Sequence, residues 1–237
     1  MKKFLKNTAV FFKSRPYSLI LLAWPFQWLW YGLLNSSQTL ETSHVIYMKL
    51  DDAIPFIPEF ILPYVMWYFY IAFAALYTLW KSKKDFLHMM TMVYFGMFGS
   101  LAFSTVYPSW HLLRPDYSEI KGGIFTFILK QIWAIDNPAV IYPSMHVLVA
   151  VLITIAFFRA DCMKGKGFLK GFFVFYTILV SASTVFTKQH SVKDIFFAFA
   201  FVVPYYLLTY YVIWPKKRFK DRGAKITPLK EKETAEV

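Results

Sequence analysis

The feature that most constrains this chain is a succession of long segments with almost no charge. A membrane-spanning helix needs about 20 mostly apolar residues. Tyr17 to Leu34, Phe60 to Trp80, Met89 to Tyr107 and Ile195 to Trp214 each supply such a stretch, without a single Asp, Glu, Lys, Arg or His. Two further segments are less regular. Ala139 to Phe158 opens with Pro143, Ser144 and His146, and Phe168 to Thr187 carries Lys170 at one end and Ser181, Ser183 and Thr184 near the other. Polar groups inside spanning segments are expensive and tend to mark function. With 57% hydrophobic and 21% aromatic residues against 17% charged, the chain has more apolar surface than a water-soluble domain of its length needs to bury. The expectation is an all-α integral membrane bundle of six transmembrane helices.

The basic residues set the orientation. Met1 to Pro16, Lys81 to His88, Arg159 to Lys170 and Pro215 to Val237 together hold 20 of the 26 Lys and Arg; the alternate connections, Asn35 to Glu59, Pro108 to Pro138 and Lys188 to Asp194, hold 6. The positive-inside rule then predicts both termini in the cytoplasm and the alternate loops outside, in a multi-pass cell-membrane protein. Residues 1–16 read as a basic cytoplasmic or interfacial segment, with Phe4, Leu5, Val10, Phe11 and Phe12 able to form an amphipathic face. Residues 17–214 read as the membrane domain, and 215–237 as a basic cytoplasmic tail without fixed structure or lying on anionic lipid. The basic start reads as retained, since no small-x-small cleavage pattern follows it. The net charge of +12 is spread in short runs between apolar segments, which argues against a nucleic-acid partner. A single cysteine, Cys162, excludes an internal disulfide.

The unusual polar residues fall into three groups predicted at one membrane face: Arg114-Pro115; Tyr142-Pro143-Ser144-Met145-His146; and Lys188-Gln189-His190-Ser191-Val192-Lys193-Asp194. In the second group Pro pre-sets a first helical turn and Ser caps it, so the N–H groups at Ser144 and Met145 and the positive helix end suit a phosphate. His146 beside that turn can donate a proton to a leaving oxygen, or simply hydrogen-bond a neighbouring helix. His190 and Asp194, four apart, share a helix face, so that the carboxylate can hold one ring nitrogen while the other attacks; a solvated loop pair is the plainer reading. Arg114 has the planar fork that suits phosphate oxygens, and Lys188 offers a second cation; each could equally anchor lipid head groups.

Taken together these groups resemble the type 2 phosphatidic acid phosphatase family. Its motifs end in Arg-Pro, read Pro-Ser-Gly-His, and read Ser-Arg, five residues, His, three residues, Asp. Here they stand as Arg114-Pro115, Pro143-Ser144-Met145-His146, and Ser183-Thr184 followed by His190 and Asp194. The resemblance implies that His190 is a nucleophile forming a phosphohistidine, Asp194 its orienting partner, and His146 the acid and then base. Arg114 and Ser144 would bind phosphate, and neither a metal nor another cofactor would be required. Tyr107, Met145 and Thr184 depart from the family's Lys, Gly and Arg, so two cations are missing, and Lys188 is the expected replacement. The Pro-Ser-Met-His and Lys-Gln-His forms are also similar to the inositol phosphorylceramide synthase and sphingomyelin synthase branch. The implied activity is hydrolysis of a lipid phosphomonoester or pyrophosphate at the outer face, on a phospholipid or polyprenyl phosphate. The alternative is transfer of phosphate or a phospho-head group to an alcohol. A metal hydrolase built on His111, His146, His190 and Asp194 would lack a His-Glu-x-x-His motif, and a channel or transporter would call for midplane charges that the apolar segments lack.

Overall fold

A computed structural model describes residues 11–116, 118, 120, 122–139 and 142–215. The first ten residues, with Phe4, Leu5 and Val10, and the tail from Lys216 lie outside the described residues, so the expectations for them do too. The described chain is mostly helical, with one two-stranded sheet.

A 3₁₀ stretch, Pro16–Ala23, leads into α1, Trp24–Ser37. Pro25 has no N–H to donate and its ring crowds the preceding turn, so the apolar run does not form one continuous α-helix. After α1 come β1, His44–Val45, and a single helical turn, α2, Leu50–Ala53. A second 3₁₀ turn, Pro58–Phe60, opens α3, Ile61–Lys81. Ser82 breaks the chain and caps α4, Lys83–Val106, accepting from the Asp85 N–H at 3.2 Å. The following loop contains β2, Ser109–Trp110, which pairs parallel to β1 with His44 opposite Ser109. Then come α5, Ile124–Ile135; α6, Met145–Arg159; α7, Gly167–Phe186; and α8, Val192–Leu207, continued as a π-helix through Leu208–Ile213.

Four helices are long and apolar enough to cross a membrane: Pro58–Lys81, Lys83–Val106, Gly167–Phe186 and Val192–Ile213. The chain therefore has the makings of a membrane protein. Two of the six expected segments differ. The first is split between 3₁₀ and α geometry, and the fourth, Ala139 to Phe158, yields a helix of only 15 residues, because Pro143 and Ser144 delay its start to Met145.

The short α6 is the centre of the bundle. Apolar on all sides, it buries Val147, Leu148, Val149, Ala150, Leu152, Ile153, Ala156 and Phe157 against α3, α4, α7 and α8. Its approach to α4 needs Gly96, where a Cβ would meet Val149 Cγ2 at 2.7 Å. Hydroxyls tie three helices together at mid-height: Thr154 and Thr177 lie 2.7 Å apart, and the Tyr70 hydroxyl lies 3.2 Å from Thr154. With no hydrophobic drive between helices in lipid, such bonds and close packing supply the association. Outward, α7 and α8 present Phe168, Phe175, Ile178, Phe196, Val203 and Val212, a continuous apolar surface that suits acyl chains rather than water.

The bundle has two chemically distinct ends. At one, Asp161 pairs with Lys84 and Lys164, the Cys162 N–H donates to Asp85, and the Arg159 guanidinium covers Tyr206 and Tyr210. Both ends of the described chain come here, Tyr17 beneath the Lys83 ammonium and Trp214 donating to Thr91 at 2.8 Å. The three polar motif groups gather at the other end.

Candidate active site

A cavity of about 580 Å³ opens between α1, α3, the start of α6 and the loops after α4, α5 and α7. Trp24, Trp28, Tyr31, Tyr68 and Ile132 contribute an aromatic and apolar wall, and Arg114, Asp136, His146, Gln189 and His190 the polar one.

His190 reaches the cavity because α7 ends at Phe186 and the chain folds back on itself. The Thr184 carbonyl accepts from the N–H groups of both Gln189 and His190, at 3.0 Å each. Lys188 adopts φ 54°, a left-handed conformation that costs a side-chain-bearing residue energy and must be held from outside. The next helix starts at once: Ser191 caps α8 with Asp194 in a reciprocal capping box. Asp194 thereby faces back, its Oδ2 accepting from the Ser191 N–H at 2.9 Å and lying 3.2 Å from His190 Nδ1. With Nδ1 so engaged, Nε2 is the ring nitrogen left for chemistry. Asp194 is fully buried.

His146, on the first turn of α6, stacks between Tyr64 at 4.2 Å and Trp67 at 4.3 Å. Its Nε2 is buried without a hydrogen-bond partner, and its ring lies 5.9 Å from that of His190, edge to face. A buried nitrogen left unpaired is costly unless a ligand or water meets it.

Arg114 is fixed at both edges of its fork, donating to Gln189 Oε1 and to the Asp136 carbonyl at 2.8 Å each, while its plane lies over Trp133. The Asp136 carboxylate accepts from the Tyr31 hydroxyl and, at 3.5 Å, from Gln189 Nε2. Burial pushes that carboxyl above the usual range, opposed by the Tyr31 hydrogen bond and the Arg114 charge. Behind Arg114, His111 is buried with Nδ1 accepting from the Leu113 N–H; burial and the guanidinium hold it well below the ordinary imidazole value.

The structure therefore brings together Arg114, Met145, His146 and His190, with Asp194 behind His190. Two expected phosphate ligands stand elsewhere. Ser144 is fully buried, its hydroxyl spent as the helix cap toward the Val147 N–H, so it shapes the turn without lining the cavity. Lys188 points away: its ammonium donates to the carbonyls of Asp51 at 2.8 Å and Ile54 at 2.6 Å, and burial lowers its pKa. It therefore supplies no charge to the cavity in this arrangement. Met145 lines the cavity, but through a side chain whose sulfur takes a long 3.8 Å hydrogen bond from Gln27.

Tyr64, Trp67, Gln27, Asp136 and Asp51 escaped the sequence reading. Both acids lie in connecting loops, and nothing local in the sequence connects Asp51 or Asp136 to groups so far along the chain. Among the described residues no group of three or more His, Cys, Asp or Glu side chains is placed to hold a metal ion. No protein-family model, curated protein or solved structure matches the chain.

Proposed function

We propose that the chain is an integral membrane lipid phosphatase that works through a phosphohistidine, of the type 2 phosphatidic acid phosphatase kind. The observation that carries this is the His190–Asp194 pair facing His146 across an apolar cavity that also contains Arg114. His190 Nε2 attacks phosphorus, the bond to the leaving oxygen breaks, and His146 delivers a proton to that oxygen. Asp194 holds the imidazole and balances the charge it acquires. Water then attacks phosphorus with His146 taking its proton, the bond from phosphorus to His190 Nε2 breaks, and inorganic phosphate leaves with His190 regenerated. Arg114 meets the charge that spreads over the phosphoryl oxygens. No step draws on a metal or organic cofactor.

In this reading six segments span the membrane, the 3₁₀–α1 run and the short α6 included. The lysine-rich end is cytoplasmic and the cavity opens at the outer face.

A second reading, phosphotransfer to an alcohol, is favoured by the charge of the cavity. Its lining pairs one fixed cation, Arg114, with one carboxylate, Asp136. A phosphomonoester dianion calls for more surplus positive charge than a singly charged phosphodiester, so a lining with one fixed cation against one carboxylate suits the diester better. Release of inorganic phosphate marks the first reading, and a new phospholipid formed only with added alcohol marks the second.

The test of the covalent step uses His146→Ala, which lacks both the acid and the base. Incubated with a nitrophenyl phosphate ester, it should accumulate acid-labile phosphate on His190, and His146→Ala/His190→Ala should not. Equal labelling of the two proteins would sink the assignment.

A further inference from the structure

His190 is aimed from outside its own motif. The segment Met48–Ile57, in the loop between α1 and α3, lies against the back of the 188–191 turn. Asp51, only 2% exposed, makes most of the junction. Its Oδ2 accepts from the Ser191 hydroxyl at 2.6 Å and from the Met48 N–H at 2.8 Å, and its Oδ1 accepts from the Val192 N–H at 2.8 Å. Its carbonyl, with that of Ile54, receives the Lys188 ammonium, and the Ile57 N–H donates to Phe186. The turn thus has two sides: Lys188 and Ser191 face the Asp51 segment, while Gln189 and His190 face the cavity.

We infer that Asp51 is a positioning residue for the His190 nucleophile. A continuous hydrogen-bonded chain runs from Asp51 through Ser191 to Asp194 and so to His190 Nδ1. The Asp51 carboxylate also accepts from the first N–H of α8, that of Val192, where the helix end favours negative charge. Because Ser191 is at once the helix cap, the Asp51 partner and a donor to Asp194, a shift at Asp51 moves the dyad as a unit. Lys188, with its left-handed backbone, is the matching element. Its ammonium, bound to two carbonyls, fastens the turn that its own φ would otherwise strain. Misplacing a nucleophile by even about 1 Å is enough to cost roughly a hundredfold in rate.

The inference rests on the phosphohistidine reading for its kinetic arm, and on amide exchange for an arm that does not. The full chain in detergent is compared with Asp51→Asn, which keeps the shape and one acceptor but removes the charge. Deuterium uptake by peptides covering 186–194 should accelerate about tenfold to a hundredfold, the range set by losing a hydrogen bond to a charged group. Uptake by α4 and α6 should not change. If Asp51→Asn folds poorly, Ser191→Ala cuts the same chain at its next member and should accelerate the same peptides to a smaller degree. In the His146→Ala background, Asp51→Asn should lower the rate constant of phosphate incorporation by about the same factor while the final stoichiometry stays unchanged. A purely structural role would do the reverse, lowering stoichiometry at an unchanged rate. Unchanged exchange at 186–194 overturns the inference whatever the kinetics. If that exchange accelerates but His146→Ala alone incorporates no phosphate, the anchoring of His190 stands and the phosphohistidine reading falls.

Discussion

The rings of His146 and His190 lie 5.9 Å apart and edge to face, one wedged between aromatic rings and the other held by a carboxylate. In the proposed mechanism these different surroundings go with different tasks, His146 exchanging a proton and His190 attacking.

Leaving-group quality should separate those tasks. An alkoxide departs badly unless protonated, whereas a nitrophenolate leaves unaided. General acid catalysis is worth roughly 10² to 10⁴ in rate, so His146→Ala should lose that much on a lipid phosphate ester yet release about one equivalent of nitrophenol per enzyme. His190→Ala should give no burst on either substrate. A His190→Ala burst matching that of His146→Ala would show that the nucleophile lies elsewhere.

Arg114→Lys should behave almost as badly as Arg114→Ala. The fork bridges Gln189 and the Asp136 carbonyl, and a single ammonium cannot reproduce both bonds together with the contact over Trp133. Turnover should fall by about a hundredfold in both variants, read as phosphate release at saturating lipid. Near-normal turnover in Arg114→Lys would mean that only charge matters there.

His111 should make the protein sensitive to mild acid. Its folded-state pKa is depressed, so the unfolded chain takes up a proton first as pH falls through the ordinary value of 6.5. Stability from neutral His111 is thus complete above that pH and drains away below it, at up to about 1.4 kcal/mol per pH unit. The melting temperature in detergent should drop between about pH 7.5 and 5.5, and less so in His111→Asn, which keeps an acceptor for the Leu113 N–H. Identical drops would assign the acid sensitivity to another group.

The orientation is best probed beside Cys162 rather than at it. Burial and the nearby Asp85 push that thiol up to about 12, which starves a maleimide of thiolate. Lys164, with its side chain 79% exposed, is the better place. In a Cys162→Ser background, Lys164→Cys should react with an impermeant maleimide only once the membrane is opened; reaction in sealed cells would reverse the proposed topology.

Much of this arrangement is legible in sequence because it is local. The capping box that turns Asp194 toward His190 is written within Ser191 to Asp194, and Pro143-Ser144 announces the start of α6. The length of almost uncharged apolar runs places α3, α4, α7 and α8 to within a few residues, apart from the charged first turn of α4. What escapes is long-range. Lys188 reads as a phosphate ligand by its distance from His190 in sequence, yet its left-handed backbone turns the side chain to carbonyls more than 130 positions away. The same holds for Asp136, whose role depends on Tyr31, more than 100 positions earlier.

The brevity of α6 bears on how a lipid reaches the site. Fifteen residues rise about 22 Å, against a hydrocarbon thickness of about 30 Å. In the proposed six-span reading, with Arg159 at one interface, His146 at the far end of the helix would lie several ångströms short of the opposite hydrocarbon boundary. For the proposed lipid substrate, entry from the same leaflet between α1 and α3 would require the stacked Trp28 and Tyr68 rings to part, and its tails would stay in the bilayer. Only the phosphate would be drawn inward, to a depth where bulk water is scarce, so that the water or alcohol completing the proposed reaction would have to enter through the same cavity.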